Sequence, residues 1–243
     1  MRILLVNVNT TTSMTETMAA SARRHASPGT EIVALTPTFG ADGVDTAFES
    51  LLSAVGVMDV VVTYPDSFDA VILGGFGEHG REGLQELTEG PVLDIAECSA
   101  HVALMLGRTY SVVTTMQRSV GAIEDRLLTA GLFDRCASVR STGLATLELE
   151  RDPITAFDAI VDQARRAVAE DHAEVLCLGC GGMAGLDEAV AAATGVPVVD
   201  GIAAAVTLGE SLVRMGLRTS KICTYAPPDP KQITGWPLSA PPR

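Results

Sequence analysis

The sequence predicts an α/β fold: two similar doubly wound parallel-sheet lobes related by pseudo-twofold symmetry. Three observations predict it. Short β-branched runs alternate with longer Ala-rich segments along the whole chain, which is the pattern of a mostly parallel sheet covered by helices. Several of those runs are continuously apolar, as strands buried on both faces are. Finally, the chain repeats itself at a nearly constant offset.

Seven runs read as strands: RILLVNV, TEIVALTP, DAVILGG, YSVVTT, SVRSTGL, EVLCLG and PVVDG. Between them, six segments read as helices. SMTETMAASARRHA takes Ser13 or Thr15 as its cap, and VDTAFESLLSAVGVMDVVV and AECSAHVALMLG follow. QRSVGAIEDRLLTAG comes next, then DPITAFDAIVDQARRAVAED, opened by Asp152-Pro153, and GIAAAVTLGESLVRMG. The repeat lays residues 69–100 over 173–205: strand, Gly-rich loop, helix, then Pro-Val-x-Asp and a small-residue helix. Gly75 falls opposite Cys180, Pro91 opposite Pro197, and Thr10 opposite Thr115. Two lobes follow, about 1–105 and 106–218, with a Pro-rich tail over 219–243 in which Trp236 is expected to dock on the body or on a neighbouring subunit. The chain is free to cross between the lobes. Ligands of such sheets bind beyond the carboxyl ends of the strands, so the loops at 7–12, 74–80, 114–117 and 179–185 should converge on one cleft.

Composition narrows the partners. The formal net charge is −13 with no Lys/Arg cluster, and aromatics are 4% of residues, which argues against nucleic acid. No apolar run reaches the length of a signal-peptide core or a membrane span, so a soluble, cytoplasmic protein with no membrane partner is expected. Five cysteines, an odd number, predict reduced thiols rather than disulfides.

The strongest chemical candidate is Cys180, at a strand end before Gly181 and Gly182. Backbone N–H groups of a helix opening there would acidify the thiol toward thiolate. Cys177 makes a C-x-x-C with it, but the second half of a zinc site is absent and Cys177 should face the core. Asn9, Thr10 and Thr11, with Thr114 and Thr115 in the second half, read as a cradle for a small polar substrate. Helix capping explains single members of that set, but not a run of polar positions in one loop. His79 is a candidate general base or, equally, a rim residue facing water. The carboxylates show no metal spacing, and there is neither a Walker loop nor a dinucleotide fingerprint. No metal and no cofactor are expected.

RILLVNVNTTTSMT, VILGGFGEHG, YSVVTTMQRSV, LGCGGMAGL, GVPVVDGIAAAV and the late GLRTSK resemble the hydantoin and allantoin racemase branch of the aspartate/glutamate racemase superfamily. The likeness runs to about Lys221. It implies a pseudo-twofold pair of α/β lobes, no cofactor, a homo-oligomer, and two catalytic cysteines on opposite faces of an acidic carbon. The second cysteine maps onto Cys180. The first belongs in a motif of the type A-C-F-G-D-P-G, which here reads Gly74-Gly75-Phe76-Gly77-Glu78-His79-Gly80, so Gly75 takes the cysteine's place. Val8 likewise stands where the first loop would carry proline.

Three functions follow. One is a racemase or epimerase of a hydantoin-like or amino-acid-derived substrate, with His79, water or another group joining Cys180. The second is a one-cysteine decarboxylase of an activated malonate, since arylmalonate decarboxylases are similar in having glycine first and cysteine second. The third is a binding protein that has kept the cleft.

Overall fold

The computed structural model describes residues 1–232; the expected docking of Trp236 lies outside the described residues. Two four-stranded parallel sheets form. The first comprises β1 (Arg2–Val6), β2 (Glu31–Leu35), β3 (Ala70–Leu73) and β4 (Val92–Asp94), in the order β2-β1-β3-β4. The second comprises β5 (Tyr110–Thr114), β6 (Cys136–Ser141), β7 (Val175–Leu178) and β8 (Val198–Val199), in the order β6-β5-β7-β8. Strand for strand the two orders are the same, and the registers agree. Gly74 donates its N–H to the Val6 carbonyl as Gly179 does to that of Val113, so positions 75 and 180 are equivalent.

The helices are α1 (Thr12–His25), α2 (Ala47–Val62), α3 (Arg81–Leu87), α4 (Ile95–Leu106), α5 (Val120–Thr129), α6 (Glu148–Arg151), α7 (Pro153–Glu170), α8 (Asp187–Thr194) and α9 (Gly201–Arg214). Asp152 caps α7 as expected. At α1 the expectation fails: Thr11, not Ser13 or Thr15, holds the cap position, and no side chain bonds the orphan N–H groups there. The segment read as a helix from Gln117 begins instead as a 3-10 turn before α5. No helix is long and apolar enough to cross a membrane among the described residues.

The Pro-Val-x-Asp repeat has a local cause. Asp94 caps α4 by accepting the Glu97 N–H at 2.7 Å, and Asp200 caps α9 by accepting that of Ile202 at 2.7 Å. Each capped helix then leaves its own strand. α4 lies against β7 and β8 of the second sheet, while α9 lies against β3 and β4 of the first. They cross where a Cβ on Gly201 would stand 2.8 Å from that of Ile95. One core therefore runs through both sheets, from Ile3, Ile72 and Ile95 to Tyr110, Val112, Cys177 and Ile202. Separate apolar layers seal the outer faces under α2 and α7.

Asp94 is 1% exposed and also receives the guanidinium of Arg126, itself buried and bonded to Glu97 at 2.8 Å. Asp94→Ala removes a cap and leaves a buried cation short of a partner. Its expected cost is about 3–5 kcal/mol, read as a fall in the urea unfolding midpoint at unchanged m. Asp94→Asn, which keeps a capping oxygen, should lose less.

Candidate active site

A cleft of about 730 Å3 opens at the carboxyl ends of β1, β3, β5 and β7. Its floor is the meeting of the two Gly-rich loops. A Cβ on Gly181 would strike the Gly74 carbonyl oxygen, so only glycine lets these backbones touch. The sulfur of Met18, from α1, packs against both loops at that point.

Of the residues singled out from sequence, Gly75, Phe76, His79, Asn9, Thr114, Thr115, Cys180, Gly181 and Gly182 line the cleft. Thr10 and Thr11 do not. Thr10 donates its N–H to the Ala41 carbonyl and Thr11 its hydroxyl to that of Asp42, so they anchor the loop before α2. The cradle is thus smaller than expected. Asn9 has committed its Oδ1 to Asn7 and to the Thr11 N–H, while its Nδ2 meets only the Met14 sulfur at 3.2 Å. Thr114 donates to the Gly179 carbonyl, but the buried Thr115 hydroxyl makes no hydrogen bond among the described residues. The N–H groups of Gly75, Phe76 and Gly77, and of Cys180 and Gly181, likewise find no acceptor there. Free donors therefore face the cleft from both lobes.

Cys180 is half-buried, and the expected acidification is not found. The turn after it is a single 3-10 turn over Gly181–Met183 rather than the opening of a long helix. Burial pushes the thiol up to about 11. The Gly182 N–H pulls the other way, and the Asp45 carboxylate adds to the rise. The resting group is a thiol, not a thiolate. Cys177 is fully buried in the core, as its place in the strand implies.

His79 is not a rim residue. It is 6% exposed, because Gly80, with φ +87°, turns the chain back at the start of α3 and folds the ring under the loop. Its Nδ1 lies 3.3 Å from the Ser50 hydroxyl of α2, which donates its own proton to the Glu78 carbonyl at 2.7 Å. Ser50 therefore accepts from His79, and the neutral ring carries its proton on Nδ1. Burial pushes the imidazole down to about 4, against the opposing pull of Asp94. Gly75 now has a physical reason. Its φ is not positive, so its backbone does not demand glycine. A Cβ there would meet the His79 ring, with Nε2 at 2.6 Å, and the Val8 methyl at 2.7 Å.

Sequence reasoning missed Ser50, Asp45, Thr146 and Arg126. Asp45 lines the cleft and ties the lobes together, accepting the Thr146 hydroxyl at 2.7 Å. Arg126 also reaches the cleft, and its buried Nε–H has no partner among the described residues. Only the capping box Thr46-x-x-Glu49 marked this region in the sequence, by fixing where α2 begins.

The model of the Asp/Glu/hydantoin racemase family matches residues 3–209. The chain belongs to that family. Hydantoin racemase of a Pseudomonas species is 35% identical over 236 residues, covering 97% of this chain and 95% of the relative. The crystal structure of allantoin racemase from Pseudomonas fluorescens is 65% identical, with a TM-score of 0.95, and covers 97% of this chain and 100% of that one. Unliganded arylmalonate decarboxylase shares the fold, at 19% identity and a TM-score of 0.58 over 87% of this chain and 92% of its own. Position 75, equivalent to Cys180 in the other lobe, is a glycine, and a Cβ there would meet the His79 ring and the Val8 side chain.

Proposed function

We propose that this racemase-family enzyme inverts the acidic ring carbon of a 5-substituted hydantoin, with allantoin (5-ureidohydantoin) as the first substrate to test. The observation that carries the reading is the placement of Cys180. Its thiol stands at one of two equivalent strand ends that face a common cleft, surrounded by unpaired N–H donors. The C5 hydrogen of a hydantoin is acidic because the electron pair left behind spreads onto the adjacent carbonyl oxygen. Free N–H groups and the Thr115 hydroxyl are suited to hold that oxygen as charge builds. Cys180 serves one face of the carbon as proton donor or acceptor. The likeness to hydantoin and allantoin racemases supports the substrate class.

Gly75 favours one competing reading, a one-sided decarboxylase of an activated malonate, because it leaves one lobe without a thiol. The test follows optical rotation of single-enantiomer allantoin and 5-alkylhydantoins, beside CO2 release from aryl- and alkylmalonates. Loss of rotation well above the buffer rate is expected. CO2 release with rotation unchanged would instead assign the decarboxylase.

A further inference from the structure

We propose that Arg126 is a specificity-determining residue: it holds the carbonyl oxygen of a neutral, amide-like substituent on C5 of the substrate. This rests on the hydantoin reading above. The cleft of about 730 Å3 is far larger than a hydantoin ring, so the wall formed by α5 is left for what the ring carries. Arg126 stands in that wall, 5% exposed. Its Nη2 is held by Asp94 and, at 2.8 Å, by Glu97, and Arg81 meets the same two carboxylates at 3.6 and 3.3 Å. Nη1 and the Nε–H make no hydrogen bond among the described residues. Buried donors without acceptors are costly, and a carbonyl oxygen arriving from the cleft would supply one. The clamp on Nη2 also fixes the plane of the guanidinium, so the fork is set before the ligand arrives.

Charge decides which kind of acceptor fits. Asp94 and Glu97 already balance Arg126 and Arg81. The other charged residues lining the cleft are acidic, with Asp45, Glu78, Glu82 and Asp125 set against Arg118 alone. A carboxylate on the substituent would meet net negative charge, whereas a neutral carbonyl oxygen would not. Glu82 and Asp125 are exposed, and their carboxylates make no hydrogen bond or ion pair among the described residues. The N–H groups of a ureido or carboxamide substituent therefore have acceptors as well. An alkyl substituent of the same shape would displace water from these groups and pair with none of them, which is how a polar site rejects an isostere.

The near-isosteric series 5-(carbamoylmethyl)-, 5-isobutyl- and 5-(carboxymethyl)hydantoin tests this on the full-length protein. In the wild type, the carbamoylmethyl compound should lose rotation with kcat/KM about 10- to 100-fold above the other two. Arg126→Lys keeps a cation for Asp94 and Glu97 but has no second nitrogen to offer, so the ratio to the isobutyl compound should fall toward one. A merely structural role would slow both compounds alike and leave the ratio where it was, which would overturn the proposal. A wild type that prefers the carboxymethyl compound would overturn the neutral class of substituent. Calorimetry with 5-methyl-5-(carbamoylmethyl)hydantoin and 5-methyl-5-isobutylhydantoin, which have no C5 hydrogen, reads binding apart from turnover. Tighter binding of the first by the wild type, with the difference lost in Arg126→Lys, would uphold the subsite even where no substrate racemises, and the racemase reading alone would then fall. Equal binding of the two by the wild type would overturn the subsite.

Discussion

Cys180→Ala is expected to reduce racemisation by about a thousandfold while leaving the protein folded. The thiol is half-buried, meets the Gly182 N–H and packs at the edge of the apolar layer under α7. Removing one sulfur from such a position costs about 1 kcal/mol or less, because the site opens onto solvent and no closed cavity is left. The kinetic loss is larger because a positioned proton donor contributes about 10²–10⁴ in rate. Polarimetry and a thermal melt on the same sample check both halves. A variant that melts normally and turns over normally would show that the proton comes from elsewhere. Cys180→Ser should fare little better than alanine, since a hydroxyl gives up its proton far less readily than a thiol.

The second large effect concerns the other lobe. Gly75→Cys alone should not improve the enzyme, although it restores the side chain the resembled motif carries. The new Cβ would overlap the His79 ring and stand 2.7 Å from the Val8 methyl. Overpacking of this kind costs about 1–3 kcal/mol, and any relief comes from displacing the His79 ring from the loop. Lower stability and lower activity are expected together. Gly75→Cys/His79→Pro removes the obstruction and should recover racemisation relative to His79→Pro. If the single variant proved faster than wild type, with His79 undisturbed, the steric argument would fail.

Much of the fold was legible because each signal had a local cause. The apolar runs became β1, β3, β5 and β7, and the repeated Asp of Pro-Val-x-Asp became two helix caps. The pairing of Gly75 with Cys180 needed only the register of the repeat. β8 was read directly from PVVDG, but β4 was not among the runs read as strands. At three residues β4 is too short to show a period, and only the repeat of Pro-Val-x-Asp marked its place. The site was legible on one side only. The reach of His79 depends on a turn at Gly80, and its tautomer depends on Ser50, 29 residues away on another helix. The Cys180 thiol was misjudged because burial against the apolar layer under α7 outweighs one N–H. Nothing in the order of residues announces either fact.

The crossing of α4 and α9 bears on what the smallest foldable unit can be. Each half of the chain ends in a helix shaped to cover the other half's sheet. Expressed alone, either half would lose the helix that covers part of its sheet's inner face and would present its own last helix without the strands it packs on. Two copies of one half could satisfy each other by trading those helices, which is domain swapping. The repeat thus reads as a swapped homodimer fused into one polypeptide. In one polypeptide the two halves need not stay identical, and their equivalent strand ends carry Gly75 in one and Cys180 in the other.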